Sequence, residues 1–266
     1  MLAIITGATG GLGKAFVYEV AKRGYDIILS ATRQERLDEL KKEINEKYPE
    51  IKVWAKECRL NSSDSRKEFF EFINNEKLCP NMLINNAGAI LEGSVMGTGI
   101  DEIQNCIEVN CVGTMDLTYW FINQRDKSIQ NYCLFVASMA GFYPMPQMAT
   151  YGATKSFLIN MSVALRKELK NEGVNISCVC PGGMATSDAM KRSLKSQGLG
   201  GKLSAQSTEK VAKGGIKKLL KNKPLWVPGF FNKVTVFISK VFPKKIIASF
   251  VGNRWVKAEK KRGEYR

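Results

Sequence analysis

Histidine is absent from all 266 residues. That excludes imidazole acid–base chemistry and removes the commonest zinc ligand, so no metal site is expected. Paired cysteines are missing as well: the seven cysteines are an odd number, scattered without a CxxC spacing. The first residues, Met1-Leu2-Ala3-Ile4-Ile5, leave no room for a secretion signal before a Gly-rich stretch. The cysteines are therefore expected to be reduced thiols in a cytoplasmic chain. Cys178 and Cys180, two apart in an apolar run, should share one face as small core residues. No apolar run reaches the roughly 20 residues that a membrane span needs. Acidic residues are scarce in one region only. From Lys191 onward there are 20 Lys and Arg against 3 Asp and Glu, whereas the preceding 190 residues hold 20 against 22. A nearly neutral body thus carries a strongly basic C-terminal part. Such asymmetry suits an anionic membrane surface, a phosphorylated acyl carrier or a nucleic acid, the last being the least expected; the alternative is a solvated basic surface.

What is present is a regular alternation. Leu2 to Thr6 reads as a buried strand, and Leu12 to Arg23 as a helix stopped by Gly24. Strands are expected at Asp26 to Ser30, Ile51 to Lys56, Met82 to Asn85, Tyr132 to Ala137 and Val174 to Val179. Between them, helical spacing runs over Gln34 to Lys47, Asp64 to Asn74, a long stretch from Ile100 to Ile122, and Thr150 to Asn171. Alternation of this kind implies an α/β chain with a doubly wound parallel sheet, covered on both faces. Met184 to Gln206 is polar, with Gly198, Gly200 and Gly201, and reads as a mobile segment long enough to be a lid. A helix over Thr208 to Leu220 and a short strand at Leu225 to Val227 follow. The predicted organisation is a single Rossmann-like dinucleotide-binding and catalytic domain over 1–228. A basic helical C-terminal extension, 229–266, is expected to pack on or near the substrate mouth.

Two motifs carry chemistry. Thr6-Gly7-Ala8-Thr9-Gly10-Gly11-Leu12-Gly13 joins the first strand to the first helix. Alone, it fits any tight strand-to-helix turn. At the first crossover, it lets backbone approach a pyrophosphate at a helix N-terminus. The second strand ends in Ser30-Ala31-Thr32-Arg33, with no carboxylate to bind a ribose. Thr32 and Arg33 favour NADP(H) over NAD(H). The second motif is Ser138 with Tyr151 and Lys155, the last two at i and i+4 on one helix face. It offers a hydroxyl to orient a carbonyl, a phenol to exchange a proton with it, and a cation to adjust the phenol. A free tyrosine has a pKa of about 10, so a neighbouring ammonium is expected to acidify it.

Thr6-Gly7-x-x-x-Gly11-x-Gly13, Asn85-Asn86-Ala87-Gly88, Asn110, Ser138, Tyr151-x-x-x-Lys155 and Pro181-Gly182 resemble, in order, the motifs of short-chain dehydrogenases/reductases. The likeness covers about the first 190 residues and is nearest to bacterial 3-oxoacyl reductases and hydroxysteroid dehydrogenases. It implies catalysis by Asn110, Ser138, Tyr151 and Lys155, with Asn110 holding a water that relays protons to Lys155. The implied cofactor site begins with Thr6, Gly7, Thr9, Gly11, Leu12 and Gly13. It continues through Thr32 and Arg33, then Arg59 and Leu60, then Asn86, Ala87 and Gly88 along the adenosine ribose. Lys155 would also hold the nicotinamide ribose beside Tyr151, and Pro181, Gly182 and Thr186 would lie at the nicotinamide. Arg59 stands where the family usually has an Asp near the adenine, and could reach toward phosphate. Gly10 stands where some NADP-dependent members carry a basic residue.

The substrate side is expected to use Ala89, Ile90, Leu91, Met139, Met145, Met148, Gly183 and Met184, an apolar set suited to bulky hydrophobic ligands. The expected function is hydride transfer between NADP(H) and a hydrophobic carbonyl or alcohol, of 3-oxoacyl thioester or hydroxysteroid type, free or linked to an acyl carrier. The alternative is a nucleotide-binding sensor or scaffold that does not turn over. Phe230 to Phe242, with Lys244 and Lys245 following, could cover the substrate mouth, lie on a membrane surface or enter a subunit contact. The resemblance also implies a homodimer or homotetramer.

Overall fold

The computed structural model describes residues 1–186 and 188–262. The end of the predicted extension, 263–266, lies outside the described residues. Seven short apolar runs become β1 (Leu2–Thr6), β2 (Asp26–Ala31), β3 (Val53–Glu57), β4 (Met82–Asn85), β5 (Asn131–Val136), β6 (Val174–Val179) and β7 (Leu225–Trp226). They form one sheet in the order β3-β2-β1-β4-β5-β6-β7, with every neighbouring pair parallel. Ile5, for example, pairs with Leu29 on one side and Ile84 on the other. Parallel neighbours require crossovers, and helices supply them. These are α1 (Gly11–Ala21), α2 (Gln34–Lys47), α3 (Ser63–Asn75), α4 (Ile100–Ile107), α5 (Thr114–Gln124) and α6 (Ala149–Glu168). The chain continues through α7 (Asp188–Ser196), α8 (Gly198–Ser204), α9 (Thr208–Leu220), α10 (Phe230–Val241) and α11 (Lys244–Arg262).

Side chains alternate across each strand, so the sheet feeds two cores. Ala3, Ile5 and Leu29 meet Phe16, Val17 and Val20 of α1, Leu37 of α2 and Ile216 of α9. Ile4, Ile28 and Leu83 meet Phe69 of α3, Phe121 of α5 and Leu158 of α6. Both sets are buried, which makes the sheet a rigid platform for the loops at its carboxyl edge. Cys178 and Cys180 are buried on one face of the β6 end, their sulfurs 3.7 Å apart, as the two-residue spacing predicts.

Two stretches differ from the sequence reading. The expected long helix from Ile100 to Ile122 is interrupted by a π-helical segment, Glu108–Gly113. The wider turn points Asn110 inward, fully buried, and brings Gly113 against Leu60, whose carbonyl a Cβ at Gly113 would strike. Met184 to Gln206, expected as a mobile polar segment, instead holds α7 and α8. A parallel bridge between Met184 and Gln206 closes its base, and the Gln206 N–H donates to the Gly183 carbonyl at 2.9 Å. Leu194 packs over Gly183, and Gly198 at φ +62° supplies the bend between the two helices. Among the described residues, no helix is long and apolar enough to cross a membrane.

The edge strand β7 is fixed by a close approach. The Trp226 indole lies across Gly214 of α9, where an added Cβ would run into the ring. Gly214→Ala should therefore destabilise the fold by about 1–3 kcal/mol, read as a lower urea midpoint. An unchanged midpoint would contradict this packing.

Candidate active site

The strand order reverses between β1 and β4, so the loops leaving them part and open a crevice at the carboxyl edge. Thr6, at the end of β1, ties the two loops together. Its hydroxyl donates to the Ile84 carbonyl at 3.3 Å and accepts from the amides of Asn86 at 3.0 Å and Ala87 at 2.9 Å. The Asn86 side chain returns the link, donating to the carbonyls of Thr6 at 2.9 Å and Gly7 at 3.2 Å. Gly7 takes φ +62°, and its Cβ would meet Ala87 Cα at 2.9 Å. At Gly13, a Cβ would run into the Gly7 carbonyl. The sequence is thus Gly-rich here because the backbone itself forms the wall. Such a cradle, at the N-terminus of α1, fits a dinucleotide pyrophosphate.

A cavity of about 1080 Å³ fills the crevice, large enough for a dinucleotide and a second molecule. Its wall includes Thr6, Gly7, Thr9, Gly11, Leu12 and Gly13 from the first loop, Thr32 after β2, and Leu60 after β3. Asn86, Ala87 and Gly88 follow β4, and Pro181, Gly182 and Thr186 follow β6; Thr186 lies against Gly11. Arg33 and Arg59 do not line it. Arg33 is exposed at the start of α2, and Arg59 is exposed and pairs with Glu57 at 3.1 Å, so the expected reach of Arg59 toward phosphate is spent on a carboxylate.

Ser138, Tyr151 and Lys155 line the same cavity. Ser138 follows β5 by two residues and caps a short 3-10 turn, Met139–Gly141. Tyr151 and Lys155 stand in the first turns of α6. The Lys155 ammonium is only 4% exposed, donates to the Val136 carbonyl at 3.0 Å, and borders Gly88. Burial pushes its pKa down to about 8, with the nearby thiols, Cys178 first, opposing that shift. Burial likewise pushes the Tyr151 phenol up to about 12, while its hydrogen bond with Ser138 works the other way. The expected acidification by Lys155 is absent from that balance: the ammonium turns to Val136 and stays 5.7 Å from the phenol ring centroid.

Asn110 lies behind this wall, with no exposed surface. Its Nδ2 donates to the Ala89 carbonyl and to Thr154 Oγ1, both at 2.9 Å, and its Oδ1 accepts from the Ala89 amide at 2.8 Å. Thr154 donates in turn to the Tyr151 carbonyl at 2.8 Å. Asn110 therefore joins the loop after β4 to the helix that carries Tyr151 and Lys155.

The other end of the cavity is apolar. Ala89, Ile90, Met139, Met145, Met148, Gly183 and Met184 line it as expected, whereas Leu91 does not. Sequence reasoning missed Tyr143, Leu194 and Arg254, and pointed only broadly at α10 and α11. Those helices and the turn between them contribute Phe231, Val234, Ile238, Phe242, Ile247, Phe250 and Trp255 to the wall. Arg254 donates to the Gln197 side chain at 3.3 Å, and its guanidinium lies on Gly200, where a Cβ would displace it. The i, i+4 spacing of Val234, Ile238 and Phe242 was the available signal. Asn232, fully buried, ties α10 to the body through the carbonyls of Ser204 at 3.2 Å and Pro228 at 2.9 Å.

Known proteins resemble this chain in sequence and in fold. A family profile described as short chain dehydrogenase matches residues 1–197. A very-long-chain 3-oxoacyl-CoA reductase of Pyrenophora tritici-repentis is 36% identical over 184 residues, covering 66% of this chain and 53% of that protein. The chain spans about half the length of the curated relatives it matches. Among solved structures, a 7β-hydroxysteroid dehydrogenase superposes with a TM-score of 0.82 at 22% identity, over 94% of this chain and 96% of the other. A short-chain dehydrogenase from Sphingobium yanoikuyae in complex with NADPH gives 0.74 at 21% identity, over 90% and 94%. At such identities these two structures speak for the fold. The profile match over most of the chain, on a crevice walled by the Gly-rich loop and the Ser138, Tyr151 and Lys155 side chains, makes this chain a member of the short-chain dehydrogenase/reductase family.

Proposed function

We propose that this chain is an NADP(H)-dependent reductase of a long-chain 3-oxoacyl thioester. The observation that carries the reading is the meeting of Ser138, Tyr151 and Lys155 where the dinucleotide cradle joins the apolar end of one cavity. The similarity to proteins named very-long-chain 3-oxoacyl-CoA reductase supports the thioester, and the many apolar groups of α10 and α11 in the wall support a long chain. Arg254 and Tyr143 offer polar contacts inside that apolar end, as a thioester beside the reacting ketone would require.

A bound nicotinamide would supply or accept the hydride; the chain's own residues manage the proton. Tyr151, with its pKa pushed up to about 12, holds its proton at neutral pH and can give it to the carbonyl oxygen. Ser138 can donate to the same oxygen and favour its developing charge. Lys155, pushed down to about 8, remains largely charged at pH 7 and can hold the ribose hydroxyls. A subunit contact is proposed through α4, the π-helical segment and α5, where Ile100, Ile107, Val112 and Tyr119 are exposed.

Tyr151→Phe should keep NADPH binding and lower the reduction rate by about 10²–10⁴-fold. Equal reduction of a panel of 3-oxoacyl thioesters by both forms would contradict the role of Tyr151 as proton donor, and reduction by neither would leave only a nucleotide sensor. The pH profile follows from Lys155. Its charged form is lost as pH rises through about 8, so reductive kcat/KM should be level below that pH and fall above it. A rate that climbs through pH 8 to 9 would contradict this. Thr32 lines the cavity beside the exposed Arg33, and no carboxylate ends β2. Arg33→Ala should raise the KM for NADPH about tenfold, as loss of one phosphate contact would, and leave that for NADH unchanged. Equal effects on both would remove the NADP(H) preference.

A further inference from the structure

Among the described residues, large apolar side chains on the outer side of the C-terminal helices stand uncovered. On α10, Phe230, Phe237 and Val241 are 83%, 68% and 63% exposed. Their spacing of seven and four places them on one face of the helix. The chain then turns at Pro243, and Ile246 and Phe250 of α11 are 57% and 71% exposed. Large aromatic side chains standing free in water are costly, and an exposed apolar strip of this length marks a contact surface. Lys233, Lys240, Lys244 and Lys245 stand exposed around it. No ion pair is formed by any of these four among the described residues. The sequence reinforces the pattern: residues 210–258 contain 12 Lys and Arg and no Asp or Glu.

We propose that α10 and the start of α11 dock this protein on an anionic lipid bilayer. Such a surface offers both things the strip needs, acidic headgroups for the lysines and hydrocarbon for Phe230, Phe237 and Val241. A second copy of this chain would set the same unrelieved lysines against each other, which argues against self-contact. Attachment is at the surface, since no described helix is long and apolar enough to cross. The strip also leads inward. Val234, Ile238, Phe242, Ile246 and Phe250 are exposed and at the same time line the cavity, so apolar surface is continuous from the outside to the site. A hydrophobic chain can enter from the bilayer without crossing water. That delivery step rests on the long-chain reductase reading above; the docking itself rests only on the strip and its charge.

The test is flotation of the full chain with vesicles of phosphatidylcholine, with or without phosphatidylglycerol. The same samples are assayed for NADPH-dependent reduction of a short, water-soluble ketone and weighed by sedimentation. The chain should float with the anionic vesicles, at least about tenfold less with neutral ones, and less as salt is raised. Phe230→Ser, Phe237→Ser and Val241→Ser together, at positions outside the cavity wall, should abolish flotation. Lys244→Glu with Lys245→Glu should weaken it about tenfold or more, at about 1 kcal/mol per charge near the surface. Both variants should keep wild-type activity on the soluble ketone, wild-type helicity and wild-type mass. Absence of flotation on anionic vesicles, or equal flotation by the triple variant, overturns the proposal. A fall in assembly mass in the triple variant also overturns it, by making the strip a subunit contact. Absent ketone reduction with intact flotation would count against the reductase reading and leave the docking standing.

Discussion

One buried cation organises the site. Lys155 is buried, and its ammonium donates to the backbone carbonyl of Val136, the last residue of β5, two residues before Ser138. Charge so poorly hydrated is costly, and burial accordingly pushes its pKa down to about 8. The surroundings are arranged around it. Gly88 is bare on the side that faces the ammonium and Asn110, and Asn110 clamps the loop after β4 to Thr154 on α6. Through Thr154 the same clamp reaches the Tyr151 carbonyl. The β4 loop, the β5 end and α6 are thereby locked at one point, and the phenol and hydroxyl that face the cavity inherit that rigidity.

The second constraint is the backbone contact between Gly7, Gly13 and Ala87, which brings the loops after β1 and β4 close enough to make one wall. Thr6 and Asn86 spend their polar atoms on holding these loops together. The cradle is consequently a property of the backbone, and the proposed NADP(H) preference is assigned to side chains outside it, Thr32 and Arg33. The far end of the cavity is built differently, from helices added after the sheet. α7 and α8 meet α11 where Arg254 lies on Gly200, and Asn232 pins α10 to the turn after β7. The chemical end is thus built on the sheet, and the apolar end on helices that follow it.

The strands were legible as short continuous apolar runs and most helices by apolar residues repeating near four, with glycine or proline marking many ends. Ser138, Tyr151 and Lys155 were legible together because motif order carried them. Other features were hidden for physical reasons. The π-helical turn at Glu108–Gly113 leaves hydrophobic spacing almost unchanged, so only the contact of Gly113 with Leu60 reveals it. α7 and α8 were obscured by Gly198, Gly200 and Gly201, which weaken a helix in isolation; here Gly200 is needed for Arg254, and packing outweighs propensity. The balance on Tyr151 could not be foreseen either. The i, i+4 spacing shows that Lys155 is near, but whether the ammonium faces the phenol or the Val136 carbonyl depends on the depth of burial.

The central claim is that a carbonyl oxygen is received between Tyr151 and Ser138 at the junction of the cradle and the apolar chamber. A crystal structure with NADPH and an unreactive 3-oxoacyl thioester analogue tests it most directly. The account predicts the analogue's carbonyl oxygen within about 2.6–3.2 Å of both side-chain oxygens, with the acyl chain running toward α10. A dinucleotide seated away from the Gly7–Gly13 loop, or a carbonyl with its back to Tyr151, would contradict it.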